Sequence, residues 1–253
     1  MKVTAFVGSA RKKHTYKATE TFLKKLQSFG NIEYELIALS DYKIETCKGC
    51  ITCFNKGEEF CPFKDDRDFL IQKMEESDGV IFASPNYSFH VSGIMKVFLD
   101  RLGFIFHRPR FFGKTFTSIV VQGIYGGNKI VNYFNFIGPA LGFNRVKGSC
   151  LKSLEPMTEK TIKKNGQILE KHAKRFYKQL LKEKYPTPNL FEVMIFRISR
   201  SSIKSKLDEN YRDFNYFDET GWFDAEFYYP VKLNFMKRLF GRLIDRVVIK
   251  LNS

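Results

Sequence analysis

Five short apolar runs, each followed before the next by a segment of helical periodicity, mark the first 184 residues of the chain. KVTAFVG (2–8), IEYELIAL (32–39), DGVIFASP (78–85), TFTSIVVQG (115–123) and NRVKGSCL (144–151) read as strands. The run at 78–85 is apolar almost throughout, which suits a strand buried on both faces. Between the runs lie amphipathic patterns. One covers 16–29, with Ala18, Phe22, Leu23 and Leu26 at helical spacing, and one covers 65–77, with Phe69, Leu70 and Met74 inward. Further helices are predicted over 91–104, over 128–142 and over a long basic stretch, 157–184. The Gly138–Pro139 pair should bend or end the fourth of these. Such alternation predicts an α/β fold. Right-handed crossovers leave a doubly wound, five-stranded parallel sheet as the leading topology.

The character of the chain changes after Lys184. YPTPN (185–189) is punctuated by proline, and no strand–helix repeat follows it. An apolar and basic helix is predicted over 191–207, an aromatic and acidic loop over 211–230, and a basic amphipathic helix over 231–251. Residues 1–184 are therefore read as the main domain and 185–253 as a mostly helical, aromatic-rich extension. In its two helices Phe191, Met194 and Ile195, and then Phe235, Leu239, Leu243 and Val247, recur at helical spacing. A partner subunit would suit those faces, and an anionic membrane surface is the second reading.

The formal net charge of the 253-residue chain is +15, which points to an anionic partner. The basic residues are dispersed, with no Arg-rich arm and no nucleic-acid-binding module, so nucleic acid is not expected. The apolar start, MKVTAFVGSA, is too short for a signal-peptide core, and no run of about 18 apolar residues offers a membrane span. A cytoplasmic protein with reduced thiols is the expectation.

Three loops at the carboxyl ends of predicted strands carry the candidate site. GSARKKHT (8–15) is neither a Walker A loop nor a GxGxxG turn. It nevertheless places the hydroxyls of Ser9 and Thr15 and the donors of Arg11, Lys12, Lys13 and His14 at a helix start, where an anion is favoured. A solvated basic loop before an ordinary helix is the alternative. The third strand ends in SPNYSFHVSG, with Pro85, Asn86, Tyr87 and Ser88 at the point where strand order reverses. The fourth ends in QGIYGGN, where Gln122 and the glycines Gly123, Gly126 and Gly127 permit close approach to a flat ring.

The loop GSARKKHT, the stretch from Cys47 to Asp66 and the block SDGVIFASPNYSFHVSGIMKVFLDR together resemble the flavodoxin-like NADPH-dependent FMN reductases, and within them the iron–sulfur flavoproteins. The resemblance covers roughly residues 1–180 and is most specific in the last block. It implies a flavodoxin-like fold, FMN as cofactor, and a homodimer or homotetramer. Ser9, Arg11, His14 and Thr15 would hold the phosphate. Pro85, Asn86, Tyr87 and Ser88 would border the isoalloxazine, with Gln122, Gly123 and Gly126 as further candidates. The family often has Ser where this chain has His14. The resemblance implies an oxidoreductase moving electrons from NAD(P)H or a reduced ferredoxin-like carrier, through FMN, to a quinone, nitro compound or flavin. A non-enzymatic flavodoxin-like electron carrier is the alternative.

Four of the five cysteines, Cys47, Cys50, Cys53 and Cys61, follow the pattern C-x2-C-x2-C-x7-C. A structural zinc site pairs two separated knuckles, whereas a compact run of this kind suits a [4Fe–4S] cluster. Buried small residues or thiols near a subunit interface are the competing reading. Cys150, in the fifth strand, is read as a core residue. Asp100 and Arg101 are read as a local ion pair.

Overall fold

A computed structural model describes residues 1–182 and 184–252. Glu183 and Ser253, assigned above to the basic helix and to the extension, lie outside the described residues. In chain order the elements are β1 (Lys2–Val7), α1 (His14–Gln27), β2 (Glu33–Ala38), α2 (Thr52–Asn55), α3 (Arg67–Glu75), β3 (Gly79–Pro85), α4 (Gly93–Arg101), β4 (Thr115–Gln122) and α5 (Gly127–Ala140). Then follow β5 (Asn144–Arg145), β6 (Ser149–Lys152), α6 (Glu159–Leu180), α7 (Leu190–Lys206), α8 (Arg212–Glu219) and α9 (Phe235–Asn252). The chain divides into two compact units: residues 1–47, 65–103 and 109–184, and residues 48–64, 104–108 and 185–253.

The first unit is a parallel sheet in the order β2-β1-β3-β4-β5, with β6 also on β4. The expected fifth strand is thus two short strands. The break falls at Gly148, where a Cβ would stand 2.1 Å from the Ser118 hydroxyl and 2.6 Å from its carbonyl oxygen, so this close passage needs glycine. Register aligns Val7 with Ala83 and Pro85 with Val121, so the loops after β1, β3 and β4 leave from one edge.

Strand alternation sorts the core into two faces. Val3, Ala5, Ile81, Ala83, Ile119 and Val121 meet Phe22, Leu23 and Leu26 of α1 and Leu169, Ala173 and Phe176 of α6. The opposite face is a stack of rings: Phe6 lies on Phe98 at 5.6 Å, and Phe82 meets Phe116 edge-on at 5.1 Å. Helix α5 does not stop at Gly138–Pro139. It runs on to Ala140, because a proline in the last turn costs only one hydrogen bond. The carbonyl of Asn135, four residues before Pro139, accepts instead from the Arg145 guanidinium at 3.3 Å. Gly138 serves packing, since a Cβ there would lie 2.3 Å from the Phe116 ring.

Asp100 and Arg101 do not pair with each other. Asp100 takes Lys96 one turn away, and buried Arg101 grips both carboxylate oxygens of buried Asp65 and donates to the Glu45 carbonyl at 3.0 Å. Burial disfavours ionisation of Asp65, but the Glu45 N–H, the Arg101 guanidinium and the Arg67 N–H hold its pKa below the ordinary carboxylate value.

His172 lies fully buried between α6 and the sheet. The Thr117 hydroxyl donates to the Val146 carbonyl at 2.9 Å, so it accepts from Nε2–H of His172 at 2.6 Å. The Ser149 hydroxyl then donates to Nδ1 at 2.7 Å. Both ring nitrogens are satisfied only when the imidazole is neutral. Burial first, and the Arg175 charge second, lower its pKa from 6.5 to about 3. The native state therefore excludes a proton that the unfolded chain binds. This contribution is complete above pH ~6.5 and is lost, at about 1.4 kcal/mol per pH unit, as the pH falls from there toward the folded pKa. Denaturant melts at stepped pH should show that slope, and His172→Gln should flatten it. An unchanged slope would mean that other groups dominate.

The second unit takes its core from the aromatic stretch. Trp222 lies against Phe217 at 4.9 Å and Tyr228 at 4.8 Å, and its indole N–H donates to the Tyr228 carbonyl at 3.0 Å. The stretch 211–230 is not wholly a loop, for α8 occupies residues 212–219. Its apolar residues alternate with acidic and amide ones, which hid a helix only eight residues long.

Candidate functional site

Seven of the eleven candidate FMN-site residues lie in three loops of the first unit, Pro85 and Gln122 end the strands β3 and β4 that lead into two of them, and His14 and Thr15 open the helix that follows the first. The loop after β1 is folded on the Arg11 carbonyl, which accepts from the Ser9 hydroxyl at 2.9 Å and from the Lys13 N–H at 2.8 Å. It is tied to α4 through Ser92, whose hydroxyl donates to the Gly8 carbonyl. Helix α1 then starts at His14 with no side chain capping its first turn. Four amides at such a start have no partner within the helix, and they carry the positive end of its dipole. Thr15 is buried at that end, while Arg11 and Lys13 are exposed and have no ion-pair partner among the described residues. Lys12 pairs with Asp41 at 2.7 Å, and His14 Nε2 faces Glu155 at 3.1 Å. Of the basic side chains, Arg11 and Lys13 are thus the ones left for an anion.

The loop after β3 is a tight reversal. Tyr87 and His90 exchange backbone hydrogen bonds at 3.0 and 2.9 Å, and the two residues between them, Ser88 and Phe89, have φ of 50° and 63°. Such values cost a non-glycine residue about 1–2 kcal/mol each, so this loop holds a strained shape. Asn86 fixes its base. The backbone N–H donates to the Val121 carbonyl at 2.8 Å, and Nδ2 donates to the Tyr125 carbonyl at 2.8 Å. Its Oδ1 is buried and has no hydrogen-bond partner among the described residues. A buried amide oxygen left open is an acceptor awaiting a donor.

The loop after β4 closes against the previous one. Gly126 has φ of 96°, and a Cβ there would stand 2.8 Å from the Phe89 ring and 3.2 Å from Asn86 Nδ2. Only glycine lets the two loops come this close. Gln122 Oε1 accepts from the Gly127 N–H at 2.6 Å, so that oxygen braces its own loop. A Cβ at Gly123 would meet only Leu154, at 4.0 Å. The rim carries Tyr87, Phe89, Ile124 and Tyr125, all exposed, with the Phe89 and Tyr125 rings 5.3 Å apart. Phe89, Ser92 and Tyr125 had no signal in the sequence beyond their position beside the motif.

The donor set fits a phosphate at the start of α1, and a flat heterocycle with N–H groups fits the edge where Asn86 Oδ1 is open. FMN has both parts.

Cys47 falls in the first unit and Cys50, Cys53 and Cys61 in the second. Cys47, Cys50 and Cys150 are free thiols. Among the described residues no three His, Cys, Asp or Glu side chains converge to hold a metal ion. The loop turns on Gly49 and Gly57, with φ of 65° and 130°, and on Ile51 at 53°. The Thr52 hydroxyl donates to Cys50 Sγ at 3.4 Å, and this bond is the main cause of a lowered thiol pKa there. A fully buried cation anchors the loop. Arg108 donates to the Cys53 carbonyl at 2.9 Å and to Glu58 at 2.7 Å, and it pairs with buried Asp213 of α8. His107 Nδ1 meets the other oxygen of Asp213 at 2.8 Å, and its ring lies tilted against Phe54 at 4.3 Å. Cys150 differs in kind. Burial pushes its thiol pKa up to about 11, and it packs against Gly127.

The family model described as NADPH-dependent FMN reductase matches residues 1–151. A protein of Archaeoglobus fulgidus named iron-sulfur flavoprotein is 36% identical over 187 residues, which cover 70% of this chain and 80% of that protein. Another of that name, from Clostridioides difficile, is 26% identical over 78% of this chain and 86% of its own length. Among solved structures, RosB with bound 8-demethyl-8-formylriboflavin-5'-phosphate superposes with a TM-score of 0.57 at 12% identity, covering 93% of this chain and 92% of that one. The NAD(P)H:quinone oxidoreductase of Methanothermobacter marburgensis gives a TM-score of 0.54 at 14% identity, over 68% of this chain and 97% of that one. At such identities the two structures speak for the fold alone.

Proposed function

Because the chain belongs to the NADPH-dependent FMN reductase family, we propose that it is an FMN-dependent oxidoreductase that takes electrons from NAD(P)H, or from a reduced ferredoxin-like carrier, and delivers them to a small acceptor such as a quinone, a nitro compound or a second flavin. The observation that carries the reading is the pairing, along one sheet edge, of an uncapped helix start with an open buried acceptor at Asn86. Bound FMN supplies the redox chemistry, accepting a hydride or electrons and passing them on.

The protein's part is binding and orientation. Arg11, Thr15, Ser9 and His14 would hold the phosphate at the first-turn amides of α1, which His14 can do only by leaving Glu155. Pro85, Asn86, Tyr87 and Ser88 would border the ring system, and Asn86 Oδ1, which has no hydrogen-bond partner among the described residues, would be the acceptor offered to a ring N–H. Gly123 would leave room for the ring edge, Gly126 lets its loop close on Phe89 and Asn86, and Gln122 keeps that loop in place through the Gly127 N–H. The strained turn at Ser88–Phe89 holds this border in one shape before the flavin arrives, which lowers the ordering cost of binding. The functional unit is a homodimer or homotetramer.

The spacing of Cys47, Cys50, Cys53 and Cys61, together with the name carried by the relatives, supports a [4Fe–4S] cluster as a second centre. No step above depends on it.

The deciding experiment uses the purified protein loaded with FMN under nitrogen. Addition of NADH or NADPH should bleach the flavin absorbance, and a quinone should restore it. Flavin that binds but is bleached by neither nucleotide would make the protein a carrier reduced by another protein. A chain that takes up no FMN would end the reading.

A further inference from the structure

Helices α7 and α9 of the second unit are fastened along their whole length. Lys237 Nζ donates to the Pro188 carbonyl at 2.6 Å. Asp245 takes Arg197 at 2.9 Å, Arg200 at 2.7 Å and the Ser201 hydroxyl at 2.8 Å, and Asn252 reaches Ser205 at 2.8 Å. Residues 188, 197–201 and 205 thus lie beside 237, 245 and 252, so the two helices run parallel. This contact uses the side of α9 that carries Gly241, Asp245 and Val248.

The opposite side of α9 is apolar and bare. Phe235, Leu239, Leu243 and Val247, spaced four apart, are 74%, 53%, 57% and 47% exposed. Met236, Ile249 and Leu251 are also exposed, as are Phe191, Ile195 and Ile198 of α7. Among these residues stand the exposed cations Arg242, Arg246 and Lys250. Asp245 is the one acidic residue of α9, and it is turned inward onto α7. The outward face is therefore apolar and cationic, with no carboxylate.

We propose that this face of α9 docks on an anionic lipid bilayer, lying in the plane of the interface. Charge selects this occupant. Two copies of the face brought together about a two-fold axis would gather the Arg242 and Arg246 charges of both copies into one seam with no carboxylate of α9 to meet them, whereas acidic headgroups neutralise them. Long basic side chains on an apolar stripe can sink their stems and leave their charges at phosphate depth. The net charge of +15 adds attraction at longer range. Crossing the bilayer is not involved, since no helix among the described residues is long and apolar enough to do so. The inference rests on the second unit and does not depend on the flavin reading.

The test is co-sedimentation of the full chain with vesicles of phosphatidylcholine, alone or mixed in equal parts with phosphatidylglycerol. Binding should occur on the mixed vesicles only and weaken in high salt. Arg242→Gln with Arg246→Gln should weaken it about thirty-fold, at roughly one charge's worth of surface attraction per residue. Leu239→Glu with Leu243→Glu should abolish it without changing the mass in solution or the melting temperature. Absence of binding to the mixed vesicles overturns the proposal. So does binding that survives the leucine changes. A shift in solution mass caused by the leucine changes also overturns it, and would assign the face to contact between copies of the chain.

Discussion

Replacing Arg11 and Thr15 together by alanine should weaken FMN binding about a hundred- to a thousand-fold while leaving the fold intact. Arg11 is exposed and has no ion-pair partner among the described residues, so its removal breaks nothing within the protein. Thr15 is buried, but the bond that involves it is accepted by its backbone carbonyl, from the Thr19 hydroxyl, and survives the substitution. Each lost hydrogen bond to a charged phosphate is worth about 1.5–3 kcal/mol, and the first-turn amides of α1 keep the remainder of the site. Two such bonds, partly compensated, give roughly 3–4 kcal/mol, which is the stated loss in affinity. Quenching of flavin fluorescence on titration of the apoprotein measures it. Lys12→Ala is the control, because Lys12 is taken up by Asp41 and should change affinity little. A double variant that binds FMN as tightly as the parent would place the phosphate elsewhere.

The architecture was legible because its signals are local. An apolar run such as VIFAS at 80–84 and a helical stripe such as Phe22–Leu23–Leu26 report burial directly, and the parallel order follows from short connections of one hand. The site was legible only as far as loops could be assigned to strand ends. The left-handed turn at Ser88–Phe89 carries no glycine or asparagine to announce it. The bond from Asn86 to the Tyr125 carbonyl joins residues 39 apart and depends on two loops meeting. Buried charges were the least visible. Arg108 and Asp213 are 105 positions apart, and neither sits in a pattern that marks it as other than surface. Arg101 looked paired with its neighbour Asp100 because sequence adjacency suggests contact. Adjacent helical residues, however, point about 100° apart, and Arg101 turns inward to Asp65 while Asp100 turns outward to Lys96. The cysteine pattern stands at the other extreme, since its information is spacing.

That spacing leads to an all-or-none expectation: Cys53→Ala should abolish iron binding, and Cys150→Ala should leave it untouched. A cluster of the [4Fe–4S] type needs a thiolate at each corner, and a loop that loses one of three closely spaced ligands cannot wrap it. Cys53 also stands at the anchored point of the loop, where Arg108 holds its carbonyl and Glu58 together. Alanine at Cys53 leaves that backbone anchor in place, so the variant removes a ligand and not the loop. Cys150 lies in β6 against Gly127, and a thiol with a pKa of about 11 is a thiolate in only ~1 molecule in 10,000 at neutral pH. Anaerobic reconstitution of the parent with iron and sulfide should give about four irons per chain and a broad visible absorbance. Iron and sulfide analysis of both variants, with flavin content and melting temperature recorded beside it, separates loss of a ligand from loss of fold. Equal loss from the two variants would break the grouping of the four cysteines. A parent chain that takes up no iron would reduce them to thiols of a braced loop and leave FMN as the single redox centre.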